Sequence, residues 1–232
     1  MNYYQESSTV ASQYDMGLRK FMLDVFGNMS LGLAISGLIS FFIGNSPQLM
    51  MMLFGGPQAF IFMFAPLILV FFLGFKINDI EVNTARMLFF LYSSLMGVSL
   101  STIFILFKLG SIINVFFISA ATFGTMALYG YTTKKDLSGM ASFLMMGVIG
   151  LVIAGLVNIF LQSSALQFAI SAFAVLIFVG LTAWDVQDLK NTYYSSYGDE
   201  REKMGIIGAL NLYMDFINIF INLLQLIGEK KD

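Results

Sequence analysis

Asn211, Asp215, Asn218, Asn222 and Gln225 recur at steps of four, three, four and three through the apolar run GALNLYMDFINIFINLLQLIG. On an α-helix those positions form a single stripe, while Leu, Ile, Phe and Met occupy the other faces. Turned toward lipid, the stripe would be heavily penalised, since an Asp alone costs about 2.5–3.5 kcal/mol at a span centre. It therefore faces a bundle interior or a wet cavity, and its helix is expected to be the central one. Asp215 is the eleventh residue counted from Gly205, about 15 Å along the axis at 1.5 Å per residue. An intramembrane carboxylate is a functional candidate by default. The competing reading is a structural Asp satisfied by a proton or a hydrogen bond.

A second carboxylate stands at the end of the preceding run, LTAWDVQDLK. Thr182 and Asp185 are three apart and share a helix face, whereas Asp188, Lys190 and the earlier Asp24 read as boundary charges; by position alone Asp185 reads equally as one. If the two helices are antiparallel neighbours, Asp185 and Asp215 can meet, provided the last helix begins outside the hydrocarbon. Two carboxyls in contact at low dielectric do not readily both ionise, and such a pair titrates as a unit. Losing the shared proton creates repulsion. Separation relieves it, as does a basic partner or a hard cation such as Ca²⁺, which prefers oxygen ligands. Amides along the stripe, together with Thr182, are further ligands or water contacts. One helix earlier, Gly147, Gly150, Ala154 and Asn158 fall on one narrow face. They read as a packing seam with Asn158 hydrogen-bonding across it, or as pore lining.

The elements that must position these groups follow from composition. Of 232 residues, 58% are hydrophobic and 11% charged, with a mean hydropathy of +0.81. An ordinary soluble domain carries roughly a quarter charged residues, so this is an integral membrane protein. Seven apolar runs are long enough to span: 21–44, 57–75, 86–107, 111–131, 141–162, 166–187 and 205–228. They lack the strict alternation of a barrel strand, and the fold class is an all-α bundle of seven transmembrane helices. Residues 1–20 form a polar segment without the apolar core of a cleavable signal. Residues 21–228 form the membrane domain and 229–232 a charged tail. The longest connection is 188–204. With the N-terminus cytoplasmic, nine Lys and Arg fall on that side and three (Lys108, Lys230 and Lys231) on the other, as the positive-inside rule prefers. A re-entrant last run would move the tail inside and strengthen that bias.

The same composition excludes function classes. There is no cysteine and no histidine, which removes disulfides, thiol or Ser–His catalysis and imidazole metal sites. A net charge of −2 offers nucleic acid no electrostatic footing. The last run has no lysine for a retinal Schiff base. An aspartyl protease would use two intramembrane aspartates, but the surrounding motifs do not resemble that class. No enzyme activity and no cofactor are expected.

Three stretches, YTTKKDLSGMASFLMMGVIGLVIAGLVNIFLQSS, LTAWDVQDLK and GALNLYMDFINIFINLLQLIG, resemble the Bax inhibitor-1 family, and its bacterial branch most. The resemblance is specific over about 130–228 and extends to GLRKFML at 17–23. It implies seven helices around a central last one, and a pH-sensitive calcium leak sensed by two hydrogen-bonded aspartates, matching Asp185 and Asp215. In some members an arginine from the region between the second and third helices latches this pair. Here the aligned position in KINDIEVNTARM carries Asp79, and Arg86, about two turns on, is the nearest candidate latch. Eukaryotic members suppress cell death, a role to which nothing in this chain points.

Residues and resemblance together indicate a multi-pass protein of the cell (inner) membrane. Its expected function is a pH-gated passive calcium path with Asp185 and Asp215 as sensor, gate and calcium contact. Its partners would be the lipid bilayer, calcium and protons. The alternative is a regulatory protein that restrains a membrane protease or another membrane partner without carrying ions, with 188–204 as its contact surface.

Overall fold

Helices and closed barrels are the structures that satisfy every backbone hydrogen bond inside a bilayer, and the apolar runs take the helical route. The computed structural model describes residues 3–231, with side chains from residue 16 onward. Its helices are α1 (Tyr3–Gly44), α2 (Pro47–Phe54), α3 (Ala59–Lys76), α4 (Val82–Leu100), α5 (Ile103–Leu106), α6 (Leu109–Thr132), α7 (Ser138–Leu161), α8 (Ser164–Ser195) and α9 (Gly198–Ile227). Seven segments are long and apolar enough to cross a membrane. These are Met16–Gly44 of α1, then α3, α4 continued by α5, and α6 through α9. Each overlaps one of the seven apolar runs. Helix α1 continues without a break from the polar 1–20 segment into the first span; residues 1, 2 and 232 lie outside the described residues.

Seven crossings sort the connections onto two faces. The near face, where α1 enters, carries the α3–α4, α6–α7 and α8–α9 turns. The far face carries α2, the α5–α6 and α7–α8 turns and the C-terminal tail. The tail is tied there: Lys108 N donates to Glu229 O (2.9 Å), Lys231 N to Leu106 O (2.9 Å) and Glu229 N to Ser111 Oγ (2.8 Å). The last run therefore crosses fully, and the re-entrant alternative is set aside.

Helix α9 is the axis of the bundle. In its apolar window 67% of residues are buried, against 6% in α7. It packs directly on α1, α4, α6 and α8, while α3 reaches it through α4 and α7 through α8. The six other spans thus surround it in two tiers. Two glycines allow the closest backbone approaches. A Cβ at Gly97 would stand 2.8 Å from the Ser36 carbonyl oxygen, where α4 crosses α1, and one at Gly130 would collide with the Ala183 carbonyl, where α6 meets α8. Between α1, α4 and α9, Ser36 Oγ shares a 2.6 Å hydrogen bond with Tyr213 Oη and donates to the Ser93 carbonyl at 2.7 Å.

The segment 188–204 is not a loop. Helix α8 runs to Ser195 and α9 starts at Gly198, so Ser196 and Tyr197 alone connect them. Its charges and tyrosines read as a connection by composition. They are compatible with helix, and Arg201 binds the turn together by donating from Nε to the Ser196 carbonyl (2.9 Å) while its guanidinium lies over Tyr193 (4.2 Å).

Candidate functional site

That two-residue turn makes α8 and α9 adjacent antiparallel rods. Leu189 packs on Gly208, and in that register Asp185 comes level with Leu212, and Thr182 with Asp215. Because α9 begins seven residues before Gly205, about 10 Å of helix, the two aspartates fall within one helical turn of each other. Their carboxyls adjoin, and the Thr182 hydroxyl stands beside Asp215. Asp215 is 4% exposed, Thr182 is fully buried and Asp185 is half-buried.

Hydrogen bonding at this contact is incomplete without a proton. The Thr182 hydroxyl donates to its own helix, at the Phe178 carbonyl (2.8 Å), so its single proton is committed. Asp215 Oδ2 is shielded from solvent and meets no donor, since a facing carboxylate can only accept. A proton held between two such carboxyls would complete the bond. Asp188, one turn on along α8, also faces Asp185. Asp185 opens onto a cavity of about 80 Å³ toward the near face, lined also by Asp188, Thr192, Met204, Gly208 and Asn211. That space is large enough for a few waters.

The rest of the stripe does not continue this opening. Asn218 Nδ2 donates to the Met214 carbonyl and Asn222 Nδ2 to the Asn218 carbonyl, each at 2.8 Å on the same helix. Gln225 Oε1 accepts from Gln167 Nε2 of α8 at 2.7 Å. Gln167 Oε1 in turn accepts from Asn158 Nδ2 (3.1 Å), and Asn158 Oδ1 accepts from Ser163 N (3.0 Å) across the left-handed turn at Gln162. Asn158 is thus the clasp of the α7–α8 turn at the far face, not a pore-lining group near the aspartates. Of the stripe candidates, Asn211 and Thr182 accompany the pair while Asn218 and Asn222 are spent on their own backbone.

Arg86 is not a latch in this conformation. It sits in the first turns of α4, in a different cavity with Lys20, Asp24, Arg201 and Glu202, and makes no ion pair among the described residues. Asp79 pairs with Lys76 at 2.9 Å in the α3–α4 turn. The rest of AWDVQDLK anchors the near face. Gln187 Oε1 accepts from Leu137 N and its Nε2 donates to the Lys135 carbonyl, both at 2.8 Å, pinning the α6–α7 turn. Lys190 Nζ donates to the Tyr131 carbonyl at 2.6 Å. Gln167 drew no notice in the sequence because it stands alone in an apolar run. Its distance in register from Gln225 was the available signal, and that needs the α8–α9 pairing.

Residues 18–232 match the family model described as inhibitor of apoptosis-promoting Bax1. The chain belongs to the Bax inhibitor-1 family. The inner membrane protein YbhL of Escherichia coli is 42% identical over 221 residues, covering 93% of this chain and 94% of that one. Protein RP147 of Rickettsia prowazekii is 41% identical over 235 residues, covering 99% of each. A membrane protein of Streptococcus pyogenes serotype M1 is 31% identical over 222 residues, covering 95% of this chain and 97% of that one. This Bax inhibitor-1 family member is accordingly a multi-pass membrane protein along its whole described length.

Proposed function

We propose that the protein is a pH-sensitive passive calcium leak of the cell's inner membrane, with its near face cytoplasmic and the Asp185–Asp215 pair as gate. The observation that carries this reading is the contact of two carboxyls between α8 and α9, Asp215 buried and Asp185 half-buried, with no ion pair to either among the described residues. A proton shared by the pair holds the two helices together. Its loss leaves two facing negative charges at low dielectric, and α8 and α9 part to admit water and a hard cation to Asp185, Asp215 and Asn211. Family membership supports the same reading. The seven-span topology supports the orientation, since it collects Lys20, Lys76, Lys134, Lys135, Lys190 and Arg201 with three further basic residues on the near face. Neither a catalytic step nor a cofactor enters this scheme.

Calcium flux into proteoliposomes of the full chain, measured across pH, tests it. Flux rising as the pair deprotonates is expected, and the double substitution Asp185→Asn with Asp215→Asn should remove the pH dependence. An unaltered rate and pH profile in that variant would sink the proposal.

A further inference from the structure

The groove that holds Arg86 lies on a different face of α9 from the aspartates and is used by nothing described above. It runs between α1, α4 and α9 at the near face and encloses about 710 Å³. Lys20, Arg86 and Arg201 line it, with Asp24 and Glu202 also present, for a net charge of +1. None of the three cations forms an ion pair among the described residues. Interfacial cations at helix ends ordinarily reach for water, which accounts for exposed Lys20. It does not account for Arg86, whose Nε is shielded from solvent and meets no acceptor among the described residues. Arg201 is held in place by the Ser196 carbonyl and by the rings of Tyr193 and Tyr197, at 4.2 and 5.2 Å, so its remaining donors are preorganised. A guanidinium fork with free donors is matched by phosphate oxygens.

The groove also has an apolar length. Its α1 wall extends from Gly17 to Leu31, about 21 Å of helix, which exceeds half of a hydrocarbon core of about 30 Å. Leu23, Leu31 and Phe90 line it beyond the cations, and Leu23 and Leu31 are also exposed on the outer surface, at 62% and 57%. The groove is therefore open sideways to the bilayer. At Gly27 an added Cβ would meet nothing within 4 Å, so the backbone of α1 leaves the channel clear.

We propose that this groove binds one anionic phospholipid of the near leaflet, its phosphate on Arg86, Arg201 and Lys20 and an acyl chain along Leu23, Gly27 and Leu31. A free phosphate ion would use the cations but not the apolar length or the lateral opening.

Native mass spectrometry of the delipidated full chain in detergent, titrated with phosphatidylglycerol, phosphatidylcholine or inorganic phosphate, tests the assignment. One phosphatidylglycerol is expected to bind about tenfold more tightly than phosphatidylcholine. Arg86→Gln should weaken it about tenfold, the equivalent of one charge-assisted hydrogen bond. Gly27→Phe should weaken it comparably while leaving every cation in place. Lys108→Gln, on the far face, should change nothing. Equal affinity for the two lipids, or phosphatidylglycerol binding untouched by both groove variants, would overturn the proposal. So would inorganic phosphate displacing phosphatidylglycerol at similar concentration, because the site would then be one for a free anion.

Discussion

The near and far halves of α9 carry the same kind of polar stripe and treat it in opposite ways. Toward the far face, Asn218 and Asn222 bond their own helix and Gln225 closes a chain through Gln167 to Asn158. The tail is stitched to the α5–α6 turn nearby. Toward the near face, Asp215 Oδ2 and Arg86 Nε are shielded from solvent without hydrogen-bond partners among the described residues, and cavities adjoin Asp185 and Arg86. Buried polar groups are nearly always satisfied in native proteins. The half that leaves them open is where the proposed proton, ion and lipid would act, while the far half is closed by its own hydrogen bonds.

The contrast can be broken most severely where α6 touches α8, beside the aspartates. Gly130→Val drives two methyl groups toward the Ala183 backbone, and overpacking against backbone should cost about 3 kcal/mol or more. Thermal unfolding in detergent should show a large drop in midpoint; an unchanged midpoint would mean that α6 and α8 do not meet there. A smaller loss is expected in the far half. Gln167→Leu leaves Asn158 and Gln225 without their shared partner, at about 1–2 kcal/mol. Stability should fall while the pH midpoint of calcium flux stays put. A shifted midpoint would merge the two halves that the comparison separates.

The smallest effect belongs to the exposed Lys76–Asp79 pair. The Lys76 ammonium, by hydrogen bond and then by charge, holds the Asp79 carboxyl below the usual carboxylate range. A carboxyl depressed in the folded state adds stability above its unfolded pKa and loses it as acid protonates the folded group. Its contribution is thus constant through neutral pH. Lys76→Gln should move the Asp79 titration upward, read by carboxyl carbon chemical shift, and leave the flux midpoint alone. A moved flux midpoint would place this surface pair inside the gate.

Much of the architecture was legible before the structure. Seven apolar runs each overlap one span, and the four-three spacing around Asp215 marked α9 as central because no lipid-facing helix tolerates an Asp with four amides. Hydropathy, however, reports where hydrocarbon lies, not where a helix ends. Hence 188–204, charged and tyrosine-rich, read as a loop although it is two helix ends around Ser196 and Tyr197. Periodicity likewise shows that Asn218 and Asn222 share a face with Asp215, but not that an Asn can spend its amide on the carbonyl one turn back. Arg86 became the candidate latch through the family resemblance, as the arginine nearest the aligned position at Asp79. Its place in another groove depends on which face of α4 meets α1, and no spacing within one helix reveals that.

The central claim is that Asp185 and Asp215 share one titrating proton. Infrared titration of the protonated-carboxyl band in the reconstituted protein reads it directly. One proton should leave the pair over the same pH interval in which calcium flux switches on, and either Asp185→Asn or Asp215→Asn should abolish that joint transition. Two carboxyls titrating separately in the ordinary acid range, each indifferent to substitution of the other, would contradict it.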